Sequence, residues 1–325
     1  MTQRVAETLS VPQLYRAFPD DASCRKWLEG VRWQGEPVCP HCGGLDDIKP
    51  PPPSKPGHWW CKPCRKHFTA TTGTCLHSTK IPLQDWLFAI YSVLTARKGV
   101  SSLQLSKELG ITQKSAWFML QRIREACDKG DFRIGGIVEV DETYIGGKES
   151  NKHESRKLRA GRGPVGKSAV VGARERGGRV KAKPVDRTDG ATLIPFVEGS
   201  VEPGSTVYTD DAAAYAALPS VINQFQHDTV AHGAGEYVRG DVHTNSIEAV
   251  WSVLKRSITG TWHKVSPKHL ARYVNETTFR LNEGNCEVDT IDRMMALAFG
   301  IGGKRLRYED LIADNGLPSM ARPVS

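Results

Sequence analysis

The spacing of apolar positions changes along the chain, and the changes divide it into segments. Residues 81–96 (I-P-L-Q-D-W-L-F-A-I-Y-S-V-L-T-A) open with proline and carry a broad apolar face, which predicts a buried helix. Residues 101–126 predict a helix, a glycine turn and a second helix. Leu103, Leu105 and Leu109 are the expected core face of the first, and Gly110 its stop. Thr112 is the expected cap of the second, with Trp117, Leu120 and Ile123 along its apolar side. From about 134 the period becomes that of strands. In I-V-E-V-D-E-T-Y-I-G-G (137–147) alternation sends Val138 and Val140 to one face and Glu139 and Asp141 to the other. G-K-S-A-V-V-G-A-R (166–174) and R-V-K-A-K-P-V (179–185) flank E-R-G-G and predict a hairpin. A helix over 189–198 with Asp189 as cap follows, then a short strand through V-Y-T that ends at Asp210 and Asp211. Last come a helix over 244–258, with Ile247, Val250, Trp251 and Leu254 on one face, and an amphipathic helix over 268–282.

Before residue 72 the chain is rich in turns and cysteines and contains P-P-P-P at 50–53. The expected domains are 1–75 (N-terminal helices and a small metal-binding ribbon), 76–130 (a helix-turn-helix-like unit), 131–300 (an α/β domain) and a C-terminal tail, 301–325. No run approaches 18 apolar residues, and the first residues lack a basic-then-apolar signal, so the expectation is a cytoplasmic protein with no membrane partner. A formal net charge of +8 favours a polyanionic partner such as nucleic acid. The excess is concentrated: residues 148–164 (K-E-S-N-K-H-E-S-R-K-L-R-A-G-R-G-P) read as a basic loop directly after the first strand. Lys152, Arg156, Lys157, Arg159 and Arg162 are its candidate DNA contacts, the alternative being a solvated loop. In the helical unit, Gln113, Lys114 and Ser115 sit where a second helix of this motif meets base edges or phosphates. Arg122 and Arg124 are expected to touch DNA backbone or stay solvated.

Eight cysteines without an export signal point to metal before disulfides. Cys39, Cys42, Cys61 and Cys64 form C-x2-C-x18-C-x2-C, in which each two-residue spacer lets one turn aim two thiolates at one ion. The expectation is structural Zn²⁺, because four thiolates leave no open coordination position.

The remaining chemistry is acidic. Asp141 lies on one strand, Asp210 at the end of another, and Glu248 on a helix. Metal-dependent phosphodiester cleavage needs hard oxygen ligands from several elements, and three carboxylates meet that need. The motifs V-E-V-D-E-T-Y-I-G-G-K, V-Y-T-D-D-A-A-A-Y, H-T-N-S-I-E-A-V-W-S-V-L-K-R and T-W-H-K-V-S-P-K-H-L-A-R-Y-V-N-E-T-T-F-R resemble bacterial insertion-sequence DDE transposases that begin with a zinc ribbon. The resemblance covers roughly residues 15 to 285. It implies an RNase H-like mixed sheet flanked by helices, preceded by the ribbon and the helix-turn-helix-like domain. It also implies Asp141, Asp210 and Glu248 as the residues holding two Mg²⁺ or Mn²⁺ ions. Some members use Asn as the third residue, which makes Asn245 a second choice. Asp211 is the alternative at the second position, and His243 a further candidate for assisting attack or contacting phosphate. Lys255 and Arg256, further along the same helix, are candidate phosphate contacts. Glu139 and Glu142 read as supporting charges.

The implied activity is DNA transposition. The element's inverted repeats are bound, a phosphodiester at each end is cut, and the 3′-OH is joined to target DNA by a homodimer or larger assembly. The rival readings are a DNA-binding regulator derived from a transposase, and an RNase H-like nuclease that cuts without joining.

Overall fold

The computed structural model describes residues 6–147, 153–156, 164–210, 213–215, 224–230, 242–313 and 322–323. The chain forms two compact units, residues 1–128 with 283–325, and residues 129–282.

The first unit starts with helices α1 (Val11–Ala17) and α2 (Asp21–Trp33). A three-stranded antiparallel ribbon follows: β1 (Ile48–Lys49), β2 (Trp59–Cys61) and β3 (Lys66–Phe68). Its small core is Cys39, Cys61 and Phe68, with Trp33 and Trp59 packed against it. Helix α3 (Leu83–Thr95) buries Trp86, Leu87, Ala89, Ile90, Val93 and Leu94, as its apolar breadth requires. Helices α4 (Ser102–Leu109) and α5 (Gln113–Ala126) form the expected pair. Gly110 ends α4 in the left-handed region (φ +64°), and the Thr112 side chain accepts from Ser115 N at the start of α5.

Two expectations fail here. Leu103 is 53 % exposed, while Leu105 is fully buried. Residues two apart on a helix are rotated by about 200° and cannot share a face. Arg124 is 1 % exposed and belongs to the interior, and the Arg122 guanidinium lies 4.1 Å over the Phe118 ring and donates to the His77 carbonyl. Neither is a solvated cation. Beyond 283 come two further helices, Thr290–Phe299 and Tyr308–Ile312. Of the segment expected as a tail, Ile301, Leu306 and Leu311 are buried.

The second unit is a five-stranded mixed sheet. In sequence its strands are β4 (Ile137–Ile145), β5 (Ser168–Glu175), β6 (Val180–Val185), β7 (Thr206–Asp210) and β8 (Gln226–Val230). Their order across the sheet is β6-β5-β4-β7-β8. The first three form an antiparallel meander, while β7 runs parallel to β4 and β8 parallel to β7. This is the arrangement of an RNase H-like core. Helix α6 (Gly190–Ser200) covers one face, where Val138, Val140, Val171 and Ala173 meet Leu193, Phe196 and Val197. The other face is covered by α7 (Asn245–Ser257) and α8 (Leu270–Leu281), with Ile247, Val250, Trp251 and Leu254 against Ile145, Val170 and Val180. The strand β8 has no counterpart in the sequence reading. Q-H-D-T-V is an edge strand whose exposure alternates among polar residues, so it carries no apolar signal. Among the described residues, no helix is long and apolar enough to cross a membrane.

Candidate active site

Strand β4 carries acidic side chains into a core because its two faces have different neighbours. Val138 and Val140 enter the α6 core, and Glu139 and Asp141 point toward α7. The β4–β7 register pairs Glu139 with Tyr208, so continuing two residues along both parallel strands brings Asp210 level with Asp141. Glu248 lies exposed in the first turn of α7. Asp141 lies in the field of the other two carboxyls. Burial first, then the charges of Asp210 and Glu248, push the Asp141 carboxyl up to about 6, against hydrogen bonds from the Trp251 indole and the Glu142 backbone. A fourth acid shares this field. Glu142 is pushed up to about 7, mainly by burial and then by Asp141 and Asp210, although the Tyr215 hydroxyl donates to it.

The start of α7 is tied to the sheet by Glu139, whose side chain is 0 % exposed. Thr244, the residue before the helix, makes no side-chain cap. The Glu139 carboxylate supplies the cap from the sheet: Oε2 accepts from Ser246 N at 2.7 Å and Ile247 N at 3.1 Å, and Oε1 from Ser246 Oγ at 3.0 Å. An anion there also meets the positive end of the helix dipole. Arg176 completes the pairing, with Nε and Nη2 both 3.1 Å from Oε1, and His243 Nδ1 lies 3.3 Å from the same oxygen. Across the hairpin, Arg174 Nη1 donates to the Ser246 carbonyl at 3.0 Å. A buried carboxylate is tolerated only with such partners. Glu139 is the supporting charge expected of it, paired with Arg176, but its capping of α7 has no local signal, since its partners there lie 107 and 108 residues away.

The other expected residues divide. Asn245 is the exposed first residue of α7. His243 is tied into the Glu139–Arg176 network. Lys255 and Arg256 are exposed in the last turn of α7, and Lys255, seven residues past Glu248, returns to its side of the helix. Arg156 ends a short 3-10 turn, Glu154–Arg156. Asp211, Lys152, Lys157, Arg159 and Arg162 lie outside the described residues. In the first unit Gln113 and Lys114 are exposed at the start of α5 and Ser115 is half-buried; the Lys114 ammonium sits 4.4 Å over the Tyr308 ring.

The cysteines form a different kind of site. The four Sγ atoms of Cys39, Cys42, Cys61 and Cys64 all lie within 4.8 Å of one another, with 3.7 Å from Cys39 to Cys64 and 3.6 Å from Cys42 to Cys61. Zinc–sulfur bonds of about 2.3 Å in a tetrahedron demand edges of about 3.8 Å, so the thiols fit structural Zn²⁺. Among the described residues this is the only group of three or more ligand atoms so close together; the carboxylates are less tightly gathered.

Residues 133–282 match the family described as the ISXO2-like transposase domain, and residues 19–67 that described as the transposase zinc-ribbon domain. The chain is 29 % identical over 250 residues to an uncharacterized protein in transposable element ISH50 of Halobacterium salinarum, covering 74 % of this chain and 84 % of that protein. It is 28 % identical over 98 residues to an uncharacterized transposase-like protein of Haemophilus influenzae, covering 30 % of this chain and 76 % of the other. A chain from the cryoEM structure of the simian T-cell lymphotropic virus intasome in complex with PP2A regulatory subunit B56 gamma aligns over 54 % of this chain and 63 % of its own. The identity there is 14 % and the TM-score 0.26. Residues 133–282 thus form an ISXO2-like DDE transposase domain behind a transposase zinc ribbon at residues 19–67, with an archaeal protein among the relatives.

Proposed function

We propose that this transposase cuts phosphodiesters at the ends of its element and joins the freed 3′-OH to target DNA, using Asp141, Asp210 and Glu248. The observation that carries the reading is the placement of the acids: the parallel register brings Asp210 level with Asp141, and burial first, then the charges of Asp210 and Glu248, push the Asp141 carboxyl up to about 6. An all-oxygen donor set whose charges repel one another in a partly buried site suits hard divalent cations such as Mg²⁺ or Mn²⁺. Asp141, Asp210 and Glu248 would hold two such ions, with Asn245 as the alternative third residue. When bound, the pair supplies charge stabilisation at the attacking and leaving oxygens.

The protein's own part is placement. Lys255 and Arg256 offer cations to backbone phosphates along the helix that carries Glu248. Gln113, Lys114 and Ser115, with the zinc ribbon, would bind the terminal inverted repeats, and the basic segment containing Lys152, Arg156, Lys157, Arg159 and Arg162 would follow the DNA. Joining requires both ends at once, which supports a homodimer or larger assembly on DNA.

The test is a labelled duplex carrying the repeats that flank the gene, incubated with the whole protein, Mg²⁺ and a target plasmid. Nicking followed by strand transfer is expected, and neither in D141A, D210A or E248A. Repeat binding without nicking would support the regulator reading, and nicking without joining the nuclease reading.

A further inference from the structure

We infer that Trp251 and Gly172 are positioning residues that fix the orientation of Asp141 relative to Glu248, and so set the affinity of the site for its divalent cations. The inference rests on the proposed role of Asp141 and Glu248. The Trp251 indole Nε1 donates to Asp141 Oδ2 at 2.8 Å. Trp251 stands one turn beyond Glu248 on α7 and is almost completely buried. One indole therefore links the strand that carries the first acid to the helix that carries the third. Carboxylates near a metal are commonly oriented by such outer hydrogen bonds.

Gly172 makes the link possible. It lies directly opposite Asp141 in the antiparallel β4–β5 pair, so a side chain there would project to the same face as Asp141. A Cβ at 172 would sit 2.5 Å from Trp251 Cη2, 2.9 Å from Cζ2 and 3.1 Å from Ile247 Cδ1. The first two separations are within contact distance, so even an alanine must displace the ring. The bare glycine leaves room for the six-membered ring of the indole against β5 while its N–H reaches the carboxylate. Without it, the strand-to-helix spacing that separates Asp141 from Glu248 would open.

The experiment titrates the whole protein with Mn²⁺ alone and follows bound Mn²⁺ by electron paramagnetic resonance, alongside the melting temperature. W251F keeps an aromatic ring and removes the N–H; G172A keeps the N–H and moves the ring. Both are expected to weaken Mn²⁺ binding by about tenfold to a hundredfold, the usual effect of losing an outer hydrogen bond to a ligand. DNA binding without metal should be unchanged. Wild-type Mn²⁺ affinity in a folded W251F overturns the inference. A second readout does not depend on either variant folding: in ¹⁵N-indole spectra, one of the eight tryptophan N–H resonances should move in D141N while the other seven stay. Eight unmoved resonances would equally sink the idea. Mn²⁺-dependent cleavage surviving in D141A would instead overturn the proposed catalytic role, leaving the indole contact as structure only.

Discussion

The thiol cluster of the ribbon and the carboxylate cluster of the sheet are built in opposite ways. In the ribbon, two C-x2-C turns deliver four soft ligands from a short stretch of chain, and the sulfurs already lie at the edges zinc demands. In the sheet, single acids come from β4, β7 and α7, and around them stand Glu139, which accepts from the start of α7 and from Arg176, and Trp251, which donates to Asp141 beside Gly172. A site of the first kind closes on itself and serves the fold. One of the second kind leaves room for a substrate, at the cost of a supporting framework.

The comparison can be broken most severely at the ligands. D141A, D210A and E248A should each reduce nicking and joining to background in the duplex assay, with N245A weaker than any of them. An inactive N245A beside an active E248A would exchange the two assignments. Next in size, a strong chelator or C61A should unfold the ribbon, since structural zinc contributes folding energy directly. Trp33 and Trp59, whose rings meet at 5.6 Å beside the thiols, report this by tryptophan fluorescence. Circular dichroism should show the sheet surviving, and its loss would mean that the two clusters are not independent. E139A should cost about 1–3 kcal/mol for each of the Ser246 and Ile247 amides it leaves without an acceptor, read as a lower midpoint in denaturant. An unchanged midpoint would remove Glu139 from the framework. The smallest effect is expected from T112A, about 1 kcal/mol for a lost helix cap, measured in the same way.

The same contrast explains what could be read from the residues. Spacing within a few residues is legible, so the C-x2-C pairs, the Thr112 cap and the Gly110 stop are evident beforehand. The alternation of β4 also survives, because Val138 and Val140 have an apolar core to enter. Leu103 misleads because it stands two residues before Leu105, a spacing that shares a face on a strand but not on a helix. The Glu139 cap, the Trp251 contact and β8 are invisible for another reason. Each is defined by a partner far along the chain or by an edge position, and neither leaves a mark on local composition.

The capping of α7 by Glu139 also has a mechanical consequence. The helix is pinned at its beginning, and a pinned rod moves least near the pin. With about 1.5 Å of rise per residue, Glu248 lies only about 3 Å along the axis from Ser246, and Lys255 about 13 Å. Any rocking of α7 is thus small at the acid that needs a fixed place and several times larger at the cations of its far end. On the roles proposed above, one helix thereby presents its pinned end to the chemistry and the cations of its far end to the DNA backbone.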